Sequence, residues 1–205
     1  MRISKGRILG AMAAVGVLAT ATPAQAQSAH SAQQPVTKAA VAQPAAAGNG
    51  AAAAGLRKLY DERFTVKPNN GHYPGLKVSP AKAMKSLHDC FNCSFPVKGA
   101  PKKFPKENQR LNLEACAVFF ACKDAPVRYH GIGSMRNAWY FTAEKGHFDG
   151  KGSKVYFNFY SDSKGYLKLH VEGYVTNPSV PDSLNKRFAV EKWQGFAHNM
   201  GTKLD

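Results

Sequence analysis

The chain has 205 residues, 28 of them Lys or Arg and 13 Asp or Glu, giving a formal charge of +15. A hydrophobic content of 44% supplies enough apolar side chains for a core, which excludes a wholly disordered polymer. The positive balance argues against an acidic sponge and points to a polyanionic partner.

The chain opens MRISKGR, with Arg2, Lys5 and Arg7 as its charges, and an uncharged apolar run follows from Ile8 to about Thr22. Ala24-Gln25-Ala26 supplies the small-x-small pattern of a cleavage site, so residues 1–26 are predicted to be a signal peptide cut near Ala26. The apolar run is shorter than the roughly 20 residues a bilayer crossing needs, and no stable membrane insertion is expected. The mature protein is expected to be secreted or periplasmic. Residues 27–54 are rich in Ala, Gln, Pro, Ser and Gly, with Lys38 the only formal charge, and Val36 and Val41 the only larger aliphatic residues. Such a segment cannot bury enough apolar surface to offset its ordering entropy, and it reads as a flexible tether.

Residues 55–205 then form one basic globular domain of ordinary length. Its first element is expected to be a short helix over Leu56–Phe64. Ser79-Pro80 is a helix start, with Ser as N-cap and Pro at the first helical position, and that helix should run to about Asp89. The lysine-rich stretch Phe95–Asn108 reads as an exposed loop. Asn112 is expected to cap a second helix on which Leu113, Cys116, Ala117 and Phe120 share a face, with Pro126 marking its end. The pattern then switches to period two. Val127–Ile132 and Asn137–Thr142 are predicted to pair, as are Lys154–Tyr160 and Tyr166–Thr176. A last helix is expected from Asp182 or Ser183, with Ala189, Trp193, Phe196, Ala197 and Met200 on one face and Gly201 as its stop. The predicted class is α+β: N-terminal helices stapled by disulfides, a four-stranded antiparallel sheet and a C-terminal helix.

Cys90 and Cys93 would end the first of the capped helices, while Cys116 and Cys122 would lie on the second. On a continuous helix Cys116 and Cys122 would be about 9 Å apart, beyond the roughly 7 Å limit for a disulfide. Two crosslinks between the helices are therefore expected, joining Cys90 and Cys93 to Cys116 and Cys122 in either order. In an exported protein they are expected to be oxidised, and each would stabilise by roughly 3–4 kcal/mol. A zinc site with His88 and a Cys-x-x-Cys redox pair are the alternatives; the spacing is a poor zinc knuckle, and no metal is expected.

Alternation in the second hairpin sends Val155, Phe157, Phe159, Leu167, Leu169, Val171 and Val175 toward the helices. The opposite set collects Tyr156, Asn158, Tyr160, Lys168, His170, Glu172 and Tyr174 on one exposed face. His170 and Glu172, two residues apart on a strand, point the same way about 6–7 Å apart at the Cα atoms. That spacing can place a base and an acid around one substrate, and tyrosines beside cations suit the stacking of bases. Arg128 and His130 share a face of the first predicted strand. Nucleophile-elbow, zinc-protease, P-loop, Rossmann and calcium-loop signatures are all missing, so no cofactor is expected.

The element order, helices followed by an antiparallel sheet bearing His, Glu, Arg, Lys and Tyr, resembles the architecture of barnase-type, EndoU-type and colicin-type ribonucleases over about residues 79–176. The last helix, with Trp193-Gln194-Gly195-Phe196-Ala197-His198-Asn199-Met200, resembles a bacterial polymorphic-toxin tail. The disulfides, the tether and the last helix depart from the simplest of those ribonucleases. The resemblance implies an exported toxin domain acting as a metal-independent ribonuclease, with an acidic immunity protein as a further partner. His170, Glu172 and His130 would be catalytic. Arg128 and Lys168 would hold the phosphate, and Tyr156, Asn158, Tyr160 and Tyr174 would hold the bases. The alternatives are a non-enzymatic module binding an anionic envelope polymer through the lysine-rich loop, and a secreted protein-binding inhibitor.

Overall fold

The computed structural model describes residues 55–68, 74–116 and 122–205. The proposed signal peptide and tether lie outside them. The domain is α+β: among the described residues it has one six-stranded antiparallel sheet, two helices and a single 3₁₀ turn. In chain order the elements are β1 (Arg57–Thr65), α1 (Pro80–Asp89), the 3₁₀ turn (Phe91–Cys93), β2 (Arg110–Cys116), β3 (Cys122–Gly131), β4 (Ala138–Ala143), β5 (Lys154–Ser161), β6 (Leu167–Val175) and α2 (Asp182–Leu204). The strands run across the sheet as β1-β6-β5-β4-β3-β2, so the first strand closes onto the last and β2 forms the far edge.

Two expected helices are strands instead. Leu56–Phe64 becomes β1 because its backbone groups pair with β6, from Arg57 opposite Val175 to Thr65 opposite Lys168. The helix expected after Asn112 is the β2–β3 hairpin, registered from Arg110 opposite Arg128 to Cys116 opposite Cys122; Ala117 and Phe120 lie outside the described residues. The sheet therefore has six strands where four were expected.

The cysteine pairing changes with it. Cys116 and Cys122 face each other across the hairpin at a Cα separation of 3.9 Å and are joined, while Cys90 pairs with Cys93. A hairpin brings together what a helix would have held apart, and no crosslink joins the two segments. With all four sulfurs in disulfides the zinc alternative lacks its thiolate ligands, while the Cys-x-x-Cys pair is joined within itself as Cys90–Cys93.

Other expectations match in detail. The Ser79 hydroxyl accepts the Lys82 N–H at 3.2 Å and caps α1, with Pro80 in first position. Along β5 and β6 the alternation sends Phe157, Phe159, Leu167, Leu169, Val171 and Val175 into the core. That inner face is covered by α1, the 3₁₀ turn and α2, and an aromatic cluster fills the gap. Phe157 meets Trp193 edge-on at 4.9 Å, Phe95 meets Phe196 at 5.4 Å, and Trp139 stacks on Phe157 at 5.1 Å.

The buried stripe of α2 is Ala189, Trp193, Phe196, Ala197, Met200 and Leu204, so the helix lies along the sheet with one apolar face inward. It runs three residues past the expected stop at Gly201. Gly201 serves packing: a Cβ there would overlap the Lys67 carbonyl, so the bare backbone lets α2 meet the chain leaving β1. Among the described residues no helix is long and apolar enough to cross a membrane.

Candidate functional site

The two faces of the sheet carry different chemistry. On the outer face, cross-strand register lines up His130, Tyr140, Tyr156, Glu172 and Asp61 in one row from β3 to β1. Neighbouring rings touch: His130 stacks on Tyr140 at 4.8 Å, Tyr140 on Tyr156 at 4.9 Å, and Tyr156 meets Tyr174 edge-on at 5.7 Å. Lys154 and Lys58 sit over the rings of Tyr140 and Tyr174.

At the β6–β1 end of this face, His170 and Glu172 do point the same way, and β1 adds two residues that sequence reasoning missed. Asp61 Oδ1 accepts from His170 Nε2 at 2.9 Å, which assigns the proton to Nε2. Lys58 Nζ donates to Glu172 at 2.8 Å and to Asp61 at 3.0 Å, and Arg63 lies 2.9 Å from Asp61. The bonds from His170 and then Lys58 hold the Asp61 carboxyl far below the usual carboxylate range. Glu172, and after it Asp61, hold the Lys58 ammonium above its ordinary value. Both residues fall in the segment read as a helix, so no signal placed them beside Glu172. Asp61, His170 and Glu172 have the donor types of a metal site, but Lys58 bridges the two carboxylates.

A small pocket of about 160 Å³ opens in the same face, lined by Tyr156, Asn158, His170 and Glu172 and by Ile132, Met135 and Ala138 on its other side. The structure thus groups four of the sequence-derived residues, with Tyr174 donating to Glu172 at 3.2 Å. It does not bring the others in. His130 is three strands from Glu172, about 14 Å by strand spacing, and faces Glu107 at 3.1 Å. Arg128 is held by Glu144 and the Asn108 carbonyl, both at 2.7 Å. Lys168 donates to Thr65 at 2.6 Å and lies 3.3 Å from Asp162. Tyr160, opposite Lys168, is not among the residues lining the pocket.

The inner face carries a larger feature. Between the N-terminal half of α2 and the sheet lies a cavity of about 330 Å³. Its apolar walls include Phe95, Val127, Phe141, Val155, Val175 and Trp193, with Phe188 and Lys192 from α2. Tyr60 enters from β1 with its hydroxyl accepting from Trp193 Nε1 at 3.0 Å, and its burial raises the phenol above its ordinary range. One end is polar. There Asp149 accepts from Asn185, and His147 Nδ1 accepts the Asp149 N–H at 3.0 Å. Burial pushes the Asp149 carboxyl up to about 6 and the His147 imidazole down to about 4. Neither residue stands out in the sequence, because Asn185, which bonds to Asp149, lies on a helix far along the chain.

No protein-family model matches the chain, and no curated protein matches it. In three dimensions it is similar to the crystal structure of Ara h 8.0201, with 12% identity, a TM-score of 0.49 and coverage of 73% of this chain and 99% of that one. It is similar to TTHA0849 from Thermus thermophilus, with 10% identity, a TM-score of 0.46 and coverage of 73% and 96%. For MLL2253 from Mesorhizobium loti the values are 16%, 0.43, and 71% and 96%.

Proposed function

We propose that this chain binds a small, mainly apolar molecule in the cavity beneath α2. The observation that carries this reading is the cavity itself: about 330 Å³, walled mainly by aromatic and aliphatic side chains, with a small number of polar ones among them. Small-molecule sites span about 300–1,000 Å³ and share that distribution. An apolar cavity gains little from water, whereas an apolar guest gains roughly 25 cal/mol for each Å² it removes from solvent. The two cystines suit work in an oxidising compartment, consistent with export and cleavage near Ala26.

The test is binding of an uncharged fluorescent apolar dye, N-phenyl-1-naphthylamine, to the wild type and to Ala189→Trp. Ala189 lines the cavity from α2, so the indole fills it. Saturable binding by the wild type and its loss in a folded Ala189→Trp support the reading. Equal dye affinity in both proteins removes it.

A second reading is RNA cleavage on the outer face. It is favoured by the Asp61–His170 bond at 2.9 Å beside Glu172 and a small pocket. Asp61 holds one imidazole nitrogen and leaves the other to accept a proton, an orienting arrangement that general-base catalysis uses. In this reading Glu172 or His170 takes the 2′-hydroxyl proton as the 2′-oxygen attacks phosphorus, and the other protonates the leaving 5′-oxygen. Lys58, rather than the distant Arg128, faces the developing phosphorane charge. Incubating the protein with total RNA, with and without EDTA, tests it. Metal-independent cleavage that disappears in His170→Ala/Glu172→Gln supports it, and RNA left intact by the wild type ends it.

A further inference from the structure

The Cys-x-x-Cys segment is a sequence motif that neither proposed activity uses. α1 ends at Asp89, and Cys90 leaves it in an extended conformation, its N–H donating to the Ser86 carbonyl at 3.2 Å. Phe91–Cys93 then make the 3₁₀ turn. The Cα atoms of Cys90 and Cys93 stand 5.4 Å apart, within the range a cystine spans. The turn is held by contacts that do not involve sulfur. The Phe91 N–H donates to the Lys102 carbonyl at 2.8 Å, and the Phe91 carbonyl accepts from Ser94 at 3.2 Å and from Phe95 at 3.0 Å. Phe91 and Phe95 are buried and stack on each other at 4.5 Å, and Phe91 meets Phe104 edge-on. The turn therefore does not depend on the cystine for its shape. With a sequence separation of three, the bond joins only the end of α1 to the turn that follows, and closing so short a loop adds little stability.

The two sulfurs differ in access. Cys93 is exposed and Cys90 half-buried, so an incoming thiolate meets Cys93 Sγ first. Exposed cystines are the labile ones in thiol–disulfide exchange. The Asn92 amide lies 3.4 Å from Cys90 Sγ, and its NH2 group, once turned toward the sulfur, donates to the thiolate that Cys90 becomes on leaving. The Phe91 bond to Lys102 also brings the lysine-rich loop to the turn. There Lys102 and Lys103 are exposed and paired with no carboxylate among the described residues, and neighbouring cations favour thiolates. We propose that Cys90–Cys93 is a thiol–disulfide exchange site that oxidises an exposed dithiol. One thiolate of the dithiol attacks Cys93 Sγ, the Cys93–Cys90 bond breaks, and Cys90 leaves with the electron pair. The substrate's second thiolate then attacks the substrate sulfur of the mixed disulfide and expels the Cys93 thiolate. The two expelled thiolates take up the two protons the dithiol released. The substrate thus loses two electrons and two protons, the cystine gains them, and one turn needs no other oxidant.

The experiment treats the oxidised wild type with dihydrolipoic acid as the dithiol, traps free thiols with iodoacetamide and locates them by peptide mass spectrometry. Cys90–Cys93 is expected to open about tenfold faster than Cys116–Cys122. Lipoic acid should form in step with that opening, and the far-ultraviolet circular dichroism should not change. A brief, acid-quenched reaction with the monothiol cysteamine is expected to leave its mixed disulfide on Cys93. In Cys90→Ser/Cys93→Ser the fast oxidation of dihydrolipoic acid should vanish; should that variant not fold, the wild-type rates and spectra decide alone. No oxidation of dihydrolipoic acid by the wild type overturns the proposal. So does equal or faster opening of Cys116–Cys122, a mixed disulfide on Cys90, fast oxidation that persists in the folded variant, or loss of the fold when Cys90–Cys93 opens.

Discussion

The phenol ring of Tyr60 lies against the backbone of Gly173, its partner across the β1–β6 pair, in the space a Cβ would take. A bulge between Lys58 and Tyr60 turns the ring inward, and the hydroxyl then reaches Trp193 of α2 at 3.0 Å. One glycine thereby links the edge strand, the central sheet and the long helix, and the linked ring forms part of the cavity wall.

Gly173→Ala should accordingly be one of the most damaging small substitutions in the domain. The new methyl overlaps the Tyr60 ring, and overpacking of this kind costs roughly 1–3 kcal/mol. A melting temperature several degrees below wild type is expected by calorimetry. In a double-mutant cycle with Tyr60→Ala, the two losses should fall well short of additive, because the second removes the clash. Additive losses would show that the ring and the glycine do not depend on each other.

The cystine from Cys116 to Cys122 closes a short loop at the sheet edge, so its expected contribution is modest. Loops of this size give about 2 kcal/mol in the chain-entropy model, less than the roughly 3–4 kcal/mol of the long crosslinks read from sequence. Cys116→Ser/Cys122→Ser should stay folded, with unchanged near-ultraviolet circular dichroism and a reduced denaturation midpoint. Loss of the folded state in that variant would mean that the sheet edge depends on the bond far more than loop closure allows.

What sequence revealed and concealed has a common physical origin in the period of the strands. Where alternation is unbroken, as from Phe157 to Phe159 and from Leu167 to Val171, inner and outer faces are legible residue by residue. In β1 the bulge places Leu59 and Tyr60 both toward the core, and with Phe64 they imitate a helical stripe. In β2 the alternation of Leu111 and Leu113 is short, and Leu113 with Cys116, Ala117 and Phe120 has the spacing of a helix face. Losing β1 hid Asp61 and Lys58, the partners of His170 and Glu172. The cavity was out of reach for another reason. Its walls come from loops, strands and a helix far apart in the chain, and no local pattern records a space between them.

On the outer face, Lys58 holds two carboxylates that would otherwise repel each other. Lys58→Met should therefore raise the Asp61 carboxyl toward the ordinary carboxylate range, a change visible in a carbon-detected NMR titration. Stability should change little, because the side chain is 43% exposed and surface ion pairs are screened by solvent. An unmoved Asp61 titration would show that His170 and Arg63 alone set its acidity.

The pair in the cavity should make stability depend on pH in two opposed ways. Asp149 is raised by burial from its ordinary 3.8 to about 6, so between those values the folded chain keeps a proton that the unfolded chain has released. Its contribution is full below pH 3.8 and is lost as pH rises through about 6. His147 is lowered from 6.5 to about 4, so its contribution is full above pH 6.5 and is lost as pH falls through about 4. Each swing amounts to roughly 3 kcal/mol, and because they oppose, their sum in the wild type is nearly flat between the two limits. The groups facing them, Asn185, Ser153 and the Tyr60 phenol, do not titrate in that window. Removing one partner should expose the other. Asp149→Asn should gain stability from pH 4 to pH 6.5 relative to wild type, and His147→Gln should lose it over the same interval, in urea unfolding at stepped pH. Parallel profiles for all three proteins would place both side chains in water.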